Sequence, residues 1–394
     1  MRARRVTDGV TWVGSVDWDR QLFDELIPLP DGTSYNAYLV TGSEKTALID
    51  TVDPAKTGEW RGLLDALQLS RLDYVIASHA EQDHAGSIPF ILERFPDAKL
   101  LCSPKAKGML IDLLHIDDSR FITVADGETL SLGEMTLEFI HAPWVHWPET
   151  MLTYLREKRV LFPCDLFGSH LATSELFVSD PSRVYRPAKR YYAEIMMPFR
   201  SNIVKHLERL TGYDIGIIAP SHGPLYDNAG FIMDMYREWV SGPLANKVVV
   251  PFVSMHGSTQ VIVDRLVGGL AEKGVLVVPH KLRGGDTGRL AMELVDAATV
   301  VLGTPTVLAG AHPQVAYAAM LANALRPRLM FASIVGSFGW GGKAVDQLLA
   351  LIPNLKVELL EPVLLKGLPS EDDLQAIDRL AAAIVEKHRG AGLV

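Results

Sequence analysis

A chain of 394 residues is too long for one comfortable hydrophobic core, and two domains are the natural expectation. With 48% hydrophobic and 22% charged residues it has the composition of an ordinary soluble globular protein, and a net charge of -9 argues against a nucleic-acid partner. Two cysteines, Cys102 and Cys164, make neither a disulfide framework nor a Cys-x-x-Cys pair, which points to a reduced, cytoplasmic setting. The basic start Met1-Arg2-Ala3-Arg4-Arg5 has no apolar core behind it and does not read as a signal peptide. No apolar run approaches the ~18 residues of a membrane span.

From Val10 to about Ser241 strands dominate, with helices between them. Tyr35–Val40 and Thr46–Asp50 read as strands around a Gly42–Lys45 turn, and Trp60–Leu69 as an amphipathic helix. The apolar run Tyr74–Ser78 reads as a buried strand, and Ala85–Phe95 as a helix. Further strands are expected at Lys99–Cys102, in two pieces over Leu130–His141, at Thr150–Leu155, at Arg159–Pro163 and at Asp214–Pro220. Helices are expected at Pro104–Leu114, within Arg190–Leu210 and at Phe231–Val240. Small residues and proline at Ser241–Asn246 mark a boundary, which divides the chain into 1–243 and 244–394. Beyond it strands and helices alternate strictly. Strands are Lys247–Val253, Gly274–Pro279, Thr299–Gly303, Arg328–Val335 and Lys356–Leu360. Helices are Ser258–Lys273, Arg289–Ala297, Gln314–Ala324, Gly342–Leu351 and Glu371–Arg389. Such β-α units predict a doubly wound parallel sheet of flavodoxin-like size, so the whole is an α/β chain.

The densest chemistry follows the strand at Tyr74. His79, Glu81, Asp83 and His84 lie within six positions, all able to bind a metal. His146, Asp165 and His222 each end a predicted strand and can point into the same cleft. Assigning His79, Glu81 and His146 to one ion and Asp83, His84 and His222 to a second leaves Asp165 to bridge them. Mixed imidazole and carboxylate sites with open positions favour redox iron, while zinc and manganese also fit. An all-histidine set would lean towards zinc and hydrolysis, so Glu81 is the informative residue.

In the second half, Ser254-Met255-His256-Gly257-Ser258-Thr259 joins a strand to a helix and makes a candidate phosphate cradle. Two further loops leave strand carboxyl ends, where an open sheet binds its ligand. One holds Thr304-Pro305-Thr306 and Gly310. The other holds Ser337-Phe338-Gly339-Trp340-Gly341, in which Trp340 can stack on a flavin ring. No Gly-x-Gly-x-x-Gly is present, which favours FMN over NAD or FAD.

The order His-x-Glu-x-Asp-His, then His146, Asp165 and His222, resembles that of the flavodiiron proteins, also called A-type flavoproteins. The flanking text agrees: Gly32–Leu39, Leu48-Ile49-Asp50-Thr51, His146-Trp147-Pro148, Asp165-Leu166-Phe167-Gly168 and Tyr191-Tyr192-Ala193. The resemblance runs over essentially the whole chain. It implies a metallo-β-lactamase-like αβ/βα sandwich carrying two irons, followed by a flavodoxin-like domain carrying FMN. It implies reduction of dioxygen to water, or of nitric oxide to nitrous oxide, and a head-to-tail homodimer or a dimer of dimers. Val394 closes the chain without a four-cysteine rubredoxin module, so a separate donor such as a rubredoxin is expected. Two departures stand out. Leu308 and Ala309 replace the asparagines usual in the second flavin loop, and Asp24, Glu25 and Leu26 replace the His-Gly-Tyr of several relatives. His170, Tyr191, Tyr192 and Trp147 are candidates to line the metal pocket. The competing readings are a zinc-dependent hydrolase fused to a flavin module and an electron carrier with an inactive metallo-domain.

Overall fold

The structure, a computed structural model, describes residues 2–394. The chain divides into two compact units. The first runs to Tyr192 and resumes at Phe199–Val240. The second is Ser241–Val394 together with Ala193–Pro198.

Two sheets form the first unit. One has seven strands in the order Arg4–Thr7, Val10–Trp12, Tyr38–Thr41, Thr46–Ile49, Tyr74–Ile76, Lys99–Cys102 and Phe121–Thr123. The other has five, in the order Thr129–Ser131, Thr136–His141, Met151–Leu155, Val160–Phe162 and Ile217–Ile218. Side chains alternate across each strand. Trp12, Tyr38, Val40, Ile49 and Ile76 therefore meet Leu137, Phe139, Met151, Leu155 and Phe162 of the other sheet in one buried cluster. The opposite face of the larger sheet, with Leu39, Leu48, Val75 and Leu100, is covered by Trp60, Leu63, Ile91 and Leu110 from helices Thr57–Ala66, Ile88–Arg94 and Pro104–Leu114. Sheet packs on sheet inside and helices lie outside, which is the sandwich expected.

Two local expectations need correction, and a third gains a neighbour. The strand read over Tyr35–Val40 is two strands, Thr33–Tyr35 and Tyr38–Thr41, broken where the Asn36 side chain turns to brace another loop. The strand read over Asp214–Pro220 shrinks to Ile217–Ile218, because Ala219–Gly223 leaves the sheet to carry a site residue. The helix expected within Arg190–Leu210 is present as Arg200–Leu210, and a further helix, Pro181–Tyr191, precedes it, joined to it by wider and tighter turns. Asp180 caps this preceding helix, which accommodates Pro187.

The second unit is a parallel sheet in the order Leu276–Lys281, Ala245–Phe252, Ala297–Val307, Phe331–Phe338 and Glu358–Leu359, so the chain order is 2-1-3-4-5. Its strands read as continuous apolar runs because both faces are covered. Helices Ser258–Ala271 and Glu371–Gly390 pack on one face; Thr287–Leu294, Pro313–Leu325 and Ala344–Ala350 pack on the other. The flavodoxin-like sheet is as expected. The loop read after Gly303 is instead the continuation of the third strand to Val307, which folds back as a hairpin through Gly310–Ala311. Leu308 and Ala309 occupy its tip with φ of 50° and 61°. A short strand, Val363–Lys366, extends the fifth position beyond Pro362.

Candidate metal centre and flavin cleft

The first site lies where strand ends converge. His79 and Glu81 follow the strand Tyr74–Ile76, and their loop is pinned from behind. Asp50 accepts the Ser78 N–H at 2.8 Å, and Glu149 accepts the Ala80 N–H at 3.0 Å. Asp83 and His84 sit in the helical turn Gln82–Ala85 rather than in open loop. His146 follows Thr136–His141, Asp165 follows Val160–Phe162, and His222 follows Ile217–Ile218. Asn36 braces the last of these: its amide donates to Pro220 O and Gly223 O, both at 2.8 Å. Gly223 has a φ of 79°, and a Cβ there would meet Ser169 Oγ at 2.1 Å, so the turn after His222 requires glycine.

The seven side chains meet in two groups. His79, Glu81, His146 and Asp165 form one; Asp83, His84 and His222 form the other. Within each, the ligand atoms lie within 4.8 Å of one another. In the first, His146 Nε2 is 3.0 Å from both Glu81 Oε2 and Asp165 Oδ2, and His79 Nε2 is 3.2 Å from Glu81 and 3.4 Å from Asp165 Oδ2. In the second, His84 Nε2 is 3.2 Å from Asp83 Oδ2 and 3.3 Å from Asp165 Oδ1. His222 Nε2 is 3.4 Å from Asp83 Oδ2 and 3.6 Å from Asp165 Oδ1. Asp165 thus turns one oxygen to each group. Ligand bonds of about 2.0–2.3 Å place neighbouring donor atoms about 3–3.7 Å apart, which is the spacing seen here. Both oxygens of Asp83 and Oδ1 of Asp165 are buried with no hydrogen-bond partner among the described residues. Carboxylates in that condition call for a cation. The donor set, imidazoles with carboxylates, fits a pair of first-row metals.

The second site is a cavity of about 300 Å³ at the carboxyl end of the parallel sheet, beside the switch point between its first and third strands. Met255, His256, Ser258, Thr259, Pro305, Thr306, Ser337, Phe338, Gly339 and Trp340 line it, and so does Gly367. Gly367, at the end of Val363–Lys366, escaped the sequence reading because Pro362 hides that strand. Ser254, Gly257, Thr304, Gly310 and Gly341 do not line it. Ser254 Oγ accepts the Gln260 N–H at 3.1 Å, Thr304 Oγ1 accepts the His312 N–H at 2.9 Å, and Gly310 abuts the Gln347 amide. The cap residue of the helix Ser258–Ala271 is Gly257, which has no side chain and a φ of 94°; Ser254 answers only the N–H of Gln260, the third helical residue. A helix start with glycine at its cap position, facing a cavity, suits a phosphate. Trp340, 80% exposed, stands at the rim.

Residues 33–223 match the model of the ODP family beta lactamase. The nitric oxide reductase of Moorella thermoacetica is 36% identical over 391 residues, covering 97% of this chain and 98% of that protein. The solved rubredoxin oxygen:oxidoreductase of Desulfovibrio gigas superposes with a TM-score of 0.93 at 30% identity, covering 99% of both chains. The flavodiiron protein of Giardia intestinalis gives 0.89 at 29% identity over 98% of both. This chain belongs to the flavodiiron protein family. It is accordingly an oxidoreductase, and the hydrolase reading is not favoured.

Within that flavodiiron frame, the metal pocket holds its charges in balance. Burial alone would lower His84, yet Asp83 and Asp165 raise it to about 10; His146, raised by Asp165 and Glu81 against the same burial, reaches about 9. Burial opposes the ionisation of Asp165, but His84 and His79 hold it well below the usual carboxylate range. Burial pushes the Cys164 thiol up to about 12, so it stands beside His79 as a neutral thiol. Trp147 sets its ring edge against His79 at 5.9 Å. His170 packs between Tyr191 and His222, at ring distances of 4.8 and 4.9 Å, and its Nδ1 lies 2.9 Å from Thr33 Oγ1. Tyr192 turns away from the ligands and donates to Trp239 O at 3.3 Å. Asp24 and Glu25 form the tip of a small hairpin, with φ of 50° and 51°. Partial burial, with Glu81 and Asp83 nearby, raises the Asp24 carboxyl.

No helix among the described residues is long and apolar enough to cross a membrane.

Proposed function

We propose that this chain reduces dioxygen to water, nitric oxide to nitrous oxide, or both, at a pair of irons supplied with electrons through FMN. Residues 1–243 form the diiron domain and 244–394 the FMN domain. The observation that carries the reading is Asp165, which offers Oδ2 to the group containing Glu81 and Oδ1 to the group containing Asp83. His79, Glu81 and His146 would hold one iron, Asp83, His84 and His222 the other, and Asp165 both. The iron pair supplies redox chemistry that no side chain here can provide.

The chain's own residues orient and exclude. Glu81 adds a negative charge where a hydrolytic zinc site would take a third imidazole, and so favours a metal that changes oxidation state. His79, His84, Asp165 and His222 are buried, which keeps bulk water from the reacting centre. Ser34 O accepts the His222 Nδ1–H at 2.7 Å and so fixes which nitrogen faces the pocket. Ser258, Thr259, Pro305, Thr306, Ser337, Phe338, Gly339 and Trp340 would hold the FMN, its phosphate at the start of the helix Ser258–Ala271. A separate donor such as a rubredoxin would reduce it. The working unit is a head-to-tail homodimer, alone or paired with another, in which the flavin of one subunit serves the irons of its partner.

The test is anaerobic reduction of the iron- and FMN-loaded chain, followed by parallel consumption assays with the two gases. Two irons per chain and rapid uptake of either gas are expected. Two zincs with hydrolysis of a thioester or phosphodiester, or loaded chain that consumes neither gas, would overturn the reading.

A further inference from the structure

We infer that His256 is the side chain that grips the flavin's phosphate, and that through it the cleft selects a phosphorylated flavin over the same flavin without phosphate. The inference rests on the flavin reading above and adds what the cleft recognises. The cavity wall is nearly free of ionisable groups. Among the described residues that line it, His256 is the only one whose side chain can carry a positive charge, and none can carry a negative one. Lys366 adjoins the lining residue Gly367, and Lys343 follows the turn that holds Trp340, but neither lines the cavity.

His256 stands two residues before the helix Ser258–Ala271, on the loop that carries the free helix start. The N–H groups of Gly257, Ser258 and Thr259 meet no acceptor among the described residues. The hydroxyls of Thr259 and Ser337 already pair with each other at 3.1 Å. The His256 ring is exposed and makes no hydrogen bond or ion pair with any described residue. Donors without acceptors are thus gathered on this one loop, and the histidine is among them.

The two ends of a flavin monophosphate ask for different walls. Its ring asks for flat apolar surface, which Phe338 and Trp340 offer from another loop. Its phosphate brings about one and a half to two negative charges at neutral pH and asks for donors. A histidine N–H given to a phosphate oxygen is a charge-assisted bond, about twice as strong as one between neutral groups. Removing the phosphate removes that bond and leaves the ring contacts as they were. Since His256 has no partner of its own, replacing it removes no contact from the fold.

The experiment is a fluorescence titration of the full flavin-free chain with FMN and, separately, with riboflavin, for the wild type, His256→Ala, His256→Gln and His256→Arg. The wild type is expected to bind FMN more tightly than riboflavin. His256→Ala should weaken FMN by about tenfold and leave riboflavin within about twofold. His256→Gln, with a neutral donor, should recover part of the loss, and His256→Arg most of it. Equal weakening of both flavins in His256→Ala would overturn the inference, because it would put the ring against the isoalloxazine or the scaffold. Unchanged FMN affinity would overturn it too, as would a loss that neither glutamine nor arginine repairs. Wild-type chain that binds neither flavin would sink the FMN reading and this inference with it. Wild-type chain that binds FMN no better than riboflavin would sink this inference alone.

Discussion

The metal centre and the flavin cleft are built from different materials. At the metal centre every contact that matters is a side chain, and the seven come from five separate strand ends or turns. At the flavin cleft much of the contact surface is backbone, supplied by a helix start with glycine at its cap position and by glycine turns. A side-chain site fails when a single group is removed. A backbone site fails when a bend can no longer be made. The largest predicted effect is a crossed pair of losses. His222→Ala should reduce gas turnover to background and lower the iron content, while FMN remains bound. Gly257→Val should do the reverse. No neighbour lies within 4 Å of a Cβ at Gly257, so only its φ of 94° opposes the valine. Strain of about 1–3 kcal/mol would weaken FMN by a factor of about 5 to 150, with iron unchanged. Metal analysis and flavin fluorescence on the two proteins check this. If either variant loses both cofactors, the two sites are not the independent constructions described.

The same contrast decides what could be read from the sequence. The clustering of the seven candidate ligands was legible because side-chain chemistry is written in residue types, and each falls just past an apolar run that reads as a strand. The parallel sheet was legible because strands covered on both faces become continuous apolar segments. Backbone features were not. The Thr304–Gly310 segment looked like a loop, yet Leu308 and Ala309 turn it into a hairpin with positive φ and no Asn-Gly signal. Asp24 and Glu25 do the same at their own hairpin. The helix Pro181–Tyr191 was hidden by Pro187, although Asp180 at its start is an ordinary cap. The bracing roles of Asn36 and Glu149 were also invisible. Each acts on a backbone group far away in the chain, 184 residues in the case of Asn36 and Pro220.

A smaller effect sharpens the comparison from the flavin side. Trp340 is one of the few side chains there whose ring presents a large surface, and at 80% exposure it packs little against the rest of its unit. Its aromatic face is therefore free for a flavin ring. Trp340→Ala should weaken FMN by about two- to tenfold, the equivalent of about 0.5–1.5 kcal/mol of stacking. The melting temperature of flavin-free chain should barely move. Unchanged FMN affinity, measured by titration of the flavin-free protein, would remove Trp340 from the site.

The smallest effect concerns how the two units treat buried histidine. The metal unit keeps His84 and His146 among carboxylates that raise them. The flavin unit buries His388 without any carboxylate, and burial lowers it. Its Nδ1 lies 2.7 Å from Asn246 Oδ1, and its Nε2 lies 2.7 Å from Thr299 Oγ1. Asn246 gives its own amide N–H to Gly274 O, so its oxygen faces the ring. His388 must then donate through Nδ1 and accept the threonine hydroxyl through Nε2, an arrangement open only to the neutral ring. With the folded-state pKa depressed, the unfolded chain binds the extra proton more readily below its own pKa of about 6.5. The stability from His388 is therefore complete above about pH 6.5 and is lost as the pH falls towards the folded value. Urea unfolding of flavin-free wild type and His388→Gln at a series of pH values checks this. The variant should be the less stable at neutral pH and should show a shallower loss on the acid side. Parallel pH profiles for the two proteins would mean that the ring accepts its second proton in place.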